Sequence, residues 1–214
     1  MRGILVVNFK AYPQAMGANA LLLAEAIQRS IPEAIVAAQA ADLAPLAQRG
    51  MRVFAQHVDP LLPGARTGSI LAESVKAAGA AGSLLNHAEK PLEPAALAFA
   101  VERCKLAGLE TLVCVDNLAR AVEISRLRPT YLAFEDPELI GKRIPVSAAR
   151  PEALQAFARV VARKTIPLCG AGIASGEDAR AARELGLQGV LVSSAVVTSR
   201  SPQDILADLR EGLG

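Results

Sequence analysis

The polar residues that directly follow this chain's short apolar runs are where its chemistry can lie. They are Asn8-Phe9-Lys10, Gln56-His57, Asn86-His87-Ala88-Glu89, Asp116-Asn117, Glu135, Gly170-Ala171-Gly172 and Ser193-Ser194. Glu135 follows Tyr131-Leu132-Ala133-Phe134 without a break. A carboxylate at such a junction is half buried, which raises its pKa and suits it to general-base work. The small residues around Gly170, Gly172, Ser193 and Ser194 suit a different task. Turns of this kind, each leading into a helix, can hold a phosphate through backbone N–H groups. Each element also fits a plainer role. Lys10 fits a surface lysine, His87 a structural histidine bonded to backbone, Glu135 a solvated loop acid, and the glycine pair a tight turn. His57, the only other histidine, stands at the root of a long loop and suits a structural or interface role.

The elements that must position these residues alternate strictly. Strand-like runs fall at 4–8, 34–38, 52–56, 82–86, 111–115, 131–134, 166–169 and 189–192. Helical stretches rich in Ala and Leu fall at 15–29, 42–48, 69–78, 94–106, 118–126, 149–163, 176–185 and 202–209. Ser175 and Ser201 stand where helix N-caps belong, and Gly50, Gly79, Gly108 and Gly186 where helices should stop. Strand–helix alternation demands parallel strands, because each return needs a crossover. A closed (β/α)8 barrel and a doubly wound open sheet both satisfy this. Eight units favour the barrel, and no Gly-x-Gly-x-x-Gly follows the first strand. No Pro/Gly/Ser-rich linker divides the chain, so residues 1–214 are expected to form one α/β domain. In a barrel the active site lies at the C-terminal ends of the strands, where all the residues above fall. Two connections are long, 57–68 and 135–147, and long βα loops are usually functional.

Composition narrows the function classes. The chain is 52% hydrophobic and 21% charged with a net charge of +2, which excludes disorder. No apolar run approaches the roughly 20 residues of a membrane helix. The opening residues MRGILVVNFK read as a first strand, not a signal peptide. No Lys/Arg block marks a nucleic-acid or anionic-lipid surface. Three widely spaced cysteines, Cys104, Cys114 and Cys169, argue for reduced thiols in a cytoplasmic protein and against a disulfide framework or zinc site.

Taken in order, Asn8-Phe9-Lys10, Ala55-Gln56, Thr67-Gly68, Asn86-His87-Ala88-Glu89, Ala133-Phe134-Glu135, Ile140-Gly141 and the Gly170 turn resemble the triosephosphate isomerase family from the first strand to the last. The similarity is greatest to its shortened archaeal form. The resemblance implies a TIM barrel that interconverts dihydroxyacetone phosphate and D-glyceraldehyde 3-phosphate in glycolysis and gluconeogenesis. It implies Glu135 as the base, His87 as a neutral imidazole passing protons, and Lys10 beside Asn8 as the oxyanion's cation. Glu89 would pair with the lysine. Ile140, Gly141, Gly170, Gly172, Ser193 and Ser194 would line the substrate, with phosphate on the N–H groups of Gly141, Gly172, Ser193 and Ser194. Residues 136–146 would form a lid, and no metal or nicotinamide cofactor is called for. Ala88, Asp136, Lys142-Arg143 and Ser193-Ser194 depart from the family pattern. Other phosphate-binding barrels fit less well: a Schiff-base aldolase would want lysine where Glu135 stands. A non-enzymatic, metabolite-binding barrel would not need all three reacting groups.

The resemblance also implies a homo-oligomer, a tetramer ahead of a dimer. The loop 57–68 matches the one that family members insert into a neighbouring subunit. Its Leu61-Leu62 pair would be costly to leave in water. The stretch 94–107 carries apolar residues around much of its circumference, which suits either a second interface or deep packing on the barrel.

Overall fold

The computed structural model describes residues 3–136, 146–161 and 165–214. Eight strands close into a parallel barrel in chain order: β1 Ile4–Asn8, β2 Ile35–Ala38, β3 Arg52–Ala55, β4 Gly82–Leu85, β5 Glu110–Val115, β6 Tyr131–Phe134, β7 Ile166–Cys169 and β8 Gly189–Val192. The last strand pairs with the first, Leu5 opposite Val190 and Val7 opposite Val192. The eight-unit pattern is therefore a closed barrel and not an open sheet.

Strands buried on both faces explain the continuous apolar runs. Val6, Ile35, Phe54, Leu84, Leu112, Ala133, Leu168 and Leu191 fill the interior. Their neighbours, such as Leu5, Val7, Leu132 and Phe134, pack outward against the helices. This two-residue period fixes the mouth of the barrel. Asn8, Gln56, Asn86, Glu135, Gly170 and Ser193 each stand two positions past an interior residue, so six of the eight strands deliver these residues to the same rim. At the opposite end Arg52 bonds both Glu110 oxygens, at 2.8 and 2.7 Å, and the Tyr131 hydroxyl at 2.9 Å. That fork ties the starts of β3, β5 and β6 together.

The helices are α1 Ala18–Ser30, α2 Leu43–Gln48, α3 Ala72–Ala77, α4 Pro94–Leu106, α5 Leu118–Ser125, α6 Val146–Ala149, α7 Pro151–Val161, α8 Gly176–Glu184, α9 Ser194–Val197 and α10 Pro202–Leu213. Two sequence-expected helices are divided. A 3-10 turn at Pro13–Ala15 precedes α1, because Gly17 takes φ +56° between them. Pro151 cannot continue α6 and instead opens α7. The helix expected at 69–78 is shorter, and the last one runs on to Leu213. The short α9 was not expected. Gly50, Gly79, Gly108 and Gly186 have φ of +76°, +88°, +70° and +96°, the left-handed turn that ends a helix at low cost in glycine. Ser175 caps α8 in a reciprocal box with Asp178. Ser201 stands at the N-cap of α10, but its hydroxyl bonds the Asp204 side chain at 2.5 Å and caps no backbone group.

Helix α10 packs on α8 through glycines. A Cβ on Gly212 would lie 1.9 Å from the Gly176 carbonyl oxygen, and neither backbone can yield. Gly212→Ala is expected to destabilise the fold by about 1–3 kcal/mol, despite alanine's better helix propensity. Thermal unfolding would register this as a lowered Tm.

Candidate active site

Lys10 departs from regular backbone just after β1, with φ +47°. A non-glycine residue holds that conformation only when its surroundings fix it. Two side chains do so. The Asn8 Oδ1 accepts the Lys10 N–H at 2.9 Å. The Gln56 Nε2 donates to the Lys10 carbonyl at 2.9 Å and also reaches Asn8 Oδ1 and the Ala37 carbonyl, both at 3.2 Å. So held, the Lys10 ammonium meets Glu89 Oε1 at 2.6 Å.

The turn after β4 presents His87. Asn86 takes φ +58° and is pinned on both sides. Its Nδ2 donates to the Cys114 carbonyl, and its Oδ1 accepts the Leu92 N–H, each at 2.9 Å. The His87 Nδ1 lies 3.1 Å from the Glu89 backbone N–H and acts as acceptor. In the neutral ring the proton therefore sits on Nε2. That nitrogen lies 3.5 Å from Glu135 Oε1. Burial lowers the His87 pKa first and the Lys10 charge lowers it further, with Glu89 opposing. The imidazole is neutral near pH 7.

Glu135 extends the ladder of β6, donating its N–H to the Val115 carbonyl at 2.8 Å. It is only 4% exposed, and its Oε2 is buried with no hydrogen-bond partner among the described residues. Burial drives its pKa up to about 7, against the pull of the Cys114 thiol, Lys10 and the Ala88 amide. A carboxyl with that value exchanges protons readily at neutral pH.

These groups line one cavity of about 640 Å3. Asn8, Lys10, His87 and Glu135 line one part of it; Gly170, Gly172, Ser193, Ser194 and Arg200 are among the residues that line the rest. The amides of Gly172, Ser193 and Ser194 donate to no acceptor among the described residues. Gly172 reaches φ +74°. The Ser193 hydroxyl oxygen is buried and has no partner among the described residues. The site thus combines a carboxyl group of pKa about 7, a neutral imidazole, a cation and backbone donors that are free among the described residues.

A family model described as triosephosphate isomerase matches residues 3–209. The chain belongs to the triosephosphate isomerase family.

Triosephosphate isomerases of Methanobrevibacter smithii and Methanocaldococcus jannaschii are 40% and 39% identical to it. The first alignment covers 96% of both chains, the second 96% of this chain and 98% of the relative. The Sulfolobus acidocaldarius triosephosphate isomerase is 39% identical over 96% of this chain and 92% of its own. Triosephosphate isomerase from Bartonella henselae shares the barrel at a TM-score of 0.75, covering 99% of this chain and 98% of that one, at 19% identity. As a triosephosphate isomerase, the chain interconverts dihydroxyacetone phosphate and glyceraldehyde 3-phosphate.

Within this family member the geometry gives Gly170 a specific place in the cavity lining. The Gly170 N–H already donates to the Phe134 carbonyl at 2.9 Å and is not free for a phosphate. What Gly170 supplies is space: a Cβ there would stand 2.6 Å from Glu135 Cγ. Ile140, Gly141, Lys142-Arg143 and most of the expected lid at 136–146 lie outside the described residues. His57 does not line that cavity but an adjoining one, which Asn8, Lys10, His87 and Glu89 also line. Its Nε2 meets Asp59 Oδ1 at 3.2 Å, and Asp59 Oδ2 accepts the Ile70 N–H at 2.7 Å, tying the two ends of the long loop.

Two contributors carried no functional reading in the sequence. Gln56 was visible as a strand-end polar residue and in the Ala55-Gln56 motif, and Cys114 only as a reduced thiol. Cys114 is fully enclosed and faces Glu135; burial and that carboxylate push its pKa well above the ordinary thiol value. It stays protonated and acts as a weak donor.

Proposed function

We propose that Glu135, His87 and Lys10 carry the proton transfers of the isomerisation. The Glu135 carboxylate takes a proton from the carbon beside the substrate carbonyl, leaving an enediolate. His87 Nε2–H and the Lys10 ammonium face the oxygen that gains charge. His87 passes a proton between the two oxygens, and Glu135 returns its proton to the neighbouring carbon. The observation that carries this reading is the 3.5 Å approach of His87 Nε2 to Glu135 Oε1 in the cavity that also holds Lys10. Support for the phosphate end comes from the free amides of Gly172, Ser193 and Ser194 in the same cavity. Glu89 holds Lys10 and fixes the His87 tautomer through its backbone N–H. The reading calls for no metal or nicotinamide. It treats residues 1–214 as one domain, which the closure of β8 on β1 supports.

The pH profile tests the base. Its raised pKa means that the free enzyme loses its carboxylate as pH falls through about 7. The value of kcat/KM is therefore expected to fall tenfold per pH unit on the acid side of that point. An acid limb centred near the ordinary glutamate value of about 4.3 would reject Glu135 as the base.

We also infer a cytoplasmic homo-oligomer, a tetramer in preference to a dimer. Among the described residues no helix is long and apolar enough to cross a membrane. Leu62 in the long loop is 56% exposed and Leu106 at the end of α4 is 69% exposed, which favours burial against further copies. The inner face of α4, with Leu97, Val101 and Cys104, packs on the barrel, so only its outer residues are available. Light scattering at micromolar concentration is expected to give about four times the 22.3 kDa chain mass. A mass of one chain would overturn the oligomer, and a mass of two would overturn the tetramer.

A further inference from the structure

We propose that Arg200 is the cation that receives the phosphate dianion of the substrate at the mouth of the catalytic cavity. This rests on the reading that the amides of Gly172, Ser193 and Ser194 form the phosphate end. Arg200 lies between α9 and α10, in the connection that follows β8, and lines the same cavity as those three residues. Among the described residues lining that cavity, Lys10 and Arg200 are the only cations. Lys10 is committed to Glu89 at 2.6 Å, whereas Arg200 makes no ion pair or hydrogen bond among the described residues. Its one acidic near neighbour in sequence, Asp204, is engaged by the Ser201 hydroxyl at 2.5 Å.

Backbone amides offer a dianion only partial charges. A guanidinium offers a full charge and a planar pair of donors matched to two phosphate oxygens. The side chain is exposed, so it meets the incoming substrate before the reacting groups do. It contacts the phosphate in ground state and transition state alike, and such uniform binding changes KM and leaves kcat alone. Screening by salt should weaken it, because the contact is open to solvent.

The test uses the intact protein, with inorganic phosphate as the probe. Arg200→Gln is expected to raise KM for glyceraldehyde 3-phosphate and the inhibition constant of inorganic phosphate by about fivefold each, with kcat within twofold of wild type. Arg200→Lys should recover part of the loss, since it restores the charge and not the fork. Turnover of glyceraldehyde, which lacks the phosphate, should be unchanged. The underlying reading is checked separately by following the backbone amide resonances of Gly172, Ser193 and Ser194 as phosphate is added to the wild-type protein. If these amides shift and Arg200→Gln leaves both constants unchanged, the proposal for Arg200 falls and the phosphate end stands. If the amides do not shift, the phosphate end itself is wrong and the proposal falls with it.

Discussion

Glu135→Asp is expected to lose about a hundredfold in kcat while KM changes little, because displacing a reacting group by ~1 Å costs on that order. The carboxylate leaves β6 at a fixed point: its N–H is held by the Val115 carbonyl and its neighbours Leu132 and Phe134 are packed against the helices. Shortening the side chain by one methylene therefore withdraws the carboxylate without any backbone shift to compensate. On the proposed reading the substrate's grip depends on other groups, the Lys10 cation and the free amides, so binding is expected to survive. Steady-state kinetics separates the two constants. Near-normal kcat in this variant would show that Glu135 is not the base.

Gly170→Ala should reach the same carboxylate from the opposite direction. The backbone at Gly170 is not in the left-handed region, so alanine can adopt it without strain. The added Cβ would stand 2.6 Å from Glu135 Cγ and 3.2 Å from the Phe134 carbonyl oxygen. The carbonyl is locked in the ladder to Gly170 itself, leaving the glutamate side chain to move. Turnover is expected to fall by between ten- and a hundredfold, again through misplacement of the base. The test is kcat together with thermal unfolding. A large drop in kcat with a nearly unchanged Tm identifies Gly170 as the spacer beneath the base. Unchanged kcat would mean that Glu135 reacts from a position other than the one it occupies here.

These two residues mark how far the sequence could be read. Glu135 was legible because a carboxylate directly after a four-residue apolar strand is obliged to sit at the strand's mouth, and the burial that lifts its pKa follows. The barrel was legible for a related reason. Runs apolar on both faces, separated by helices, leave few architectures, and the count of eight selects closure. Gly170 was placed in the turn that lines the cavity, but its relation to Glu135 was not legible. That its amide is consumed depends on the register between β6 and β7, where Phe134 stands opposite Cys169. That its missing Cβ makes room for Glu135 depends on a contact across 35 positions of chain. Gln56 was hidden in the same way, since its three acceptors come from β1, its following turn and β2. The break at Gly17 and the short α9 are local, yet helix propensity alone does not reveal where a left-handed residue interrupts a run.

The most direct measurement of the central claim is isotope exchange. Dihydroxyacetone phosphate is supplied in heavy water to the wild-type chain and to Glu135→Gln, and the carbon-bound protons beside the carbonyl are followed by NMR. Wild type is expected to form glyceraldehyde 3-phosphate and to exchange a carbon-bound proton for deuterium, while Glu135→Gln, folded and still inhibited by inorganic phosphate, does neither at a detectable rate. Exchange by Glu135→Gln at the wild-type rate would contradict the account, because some other group would then be removing the proton.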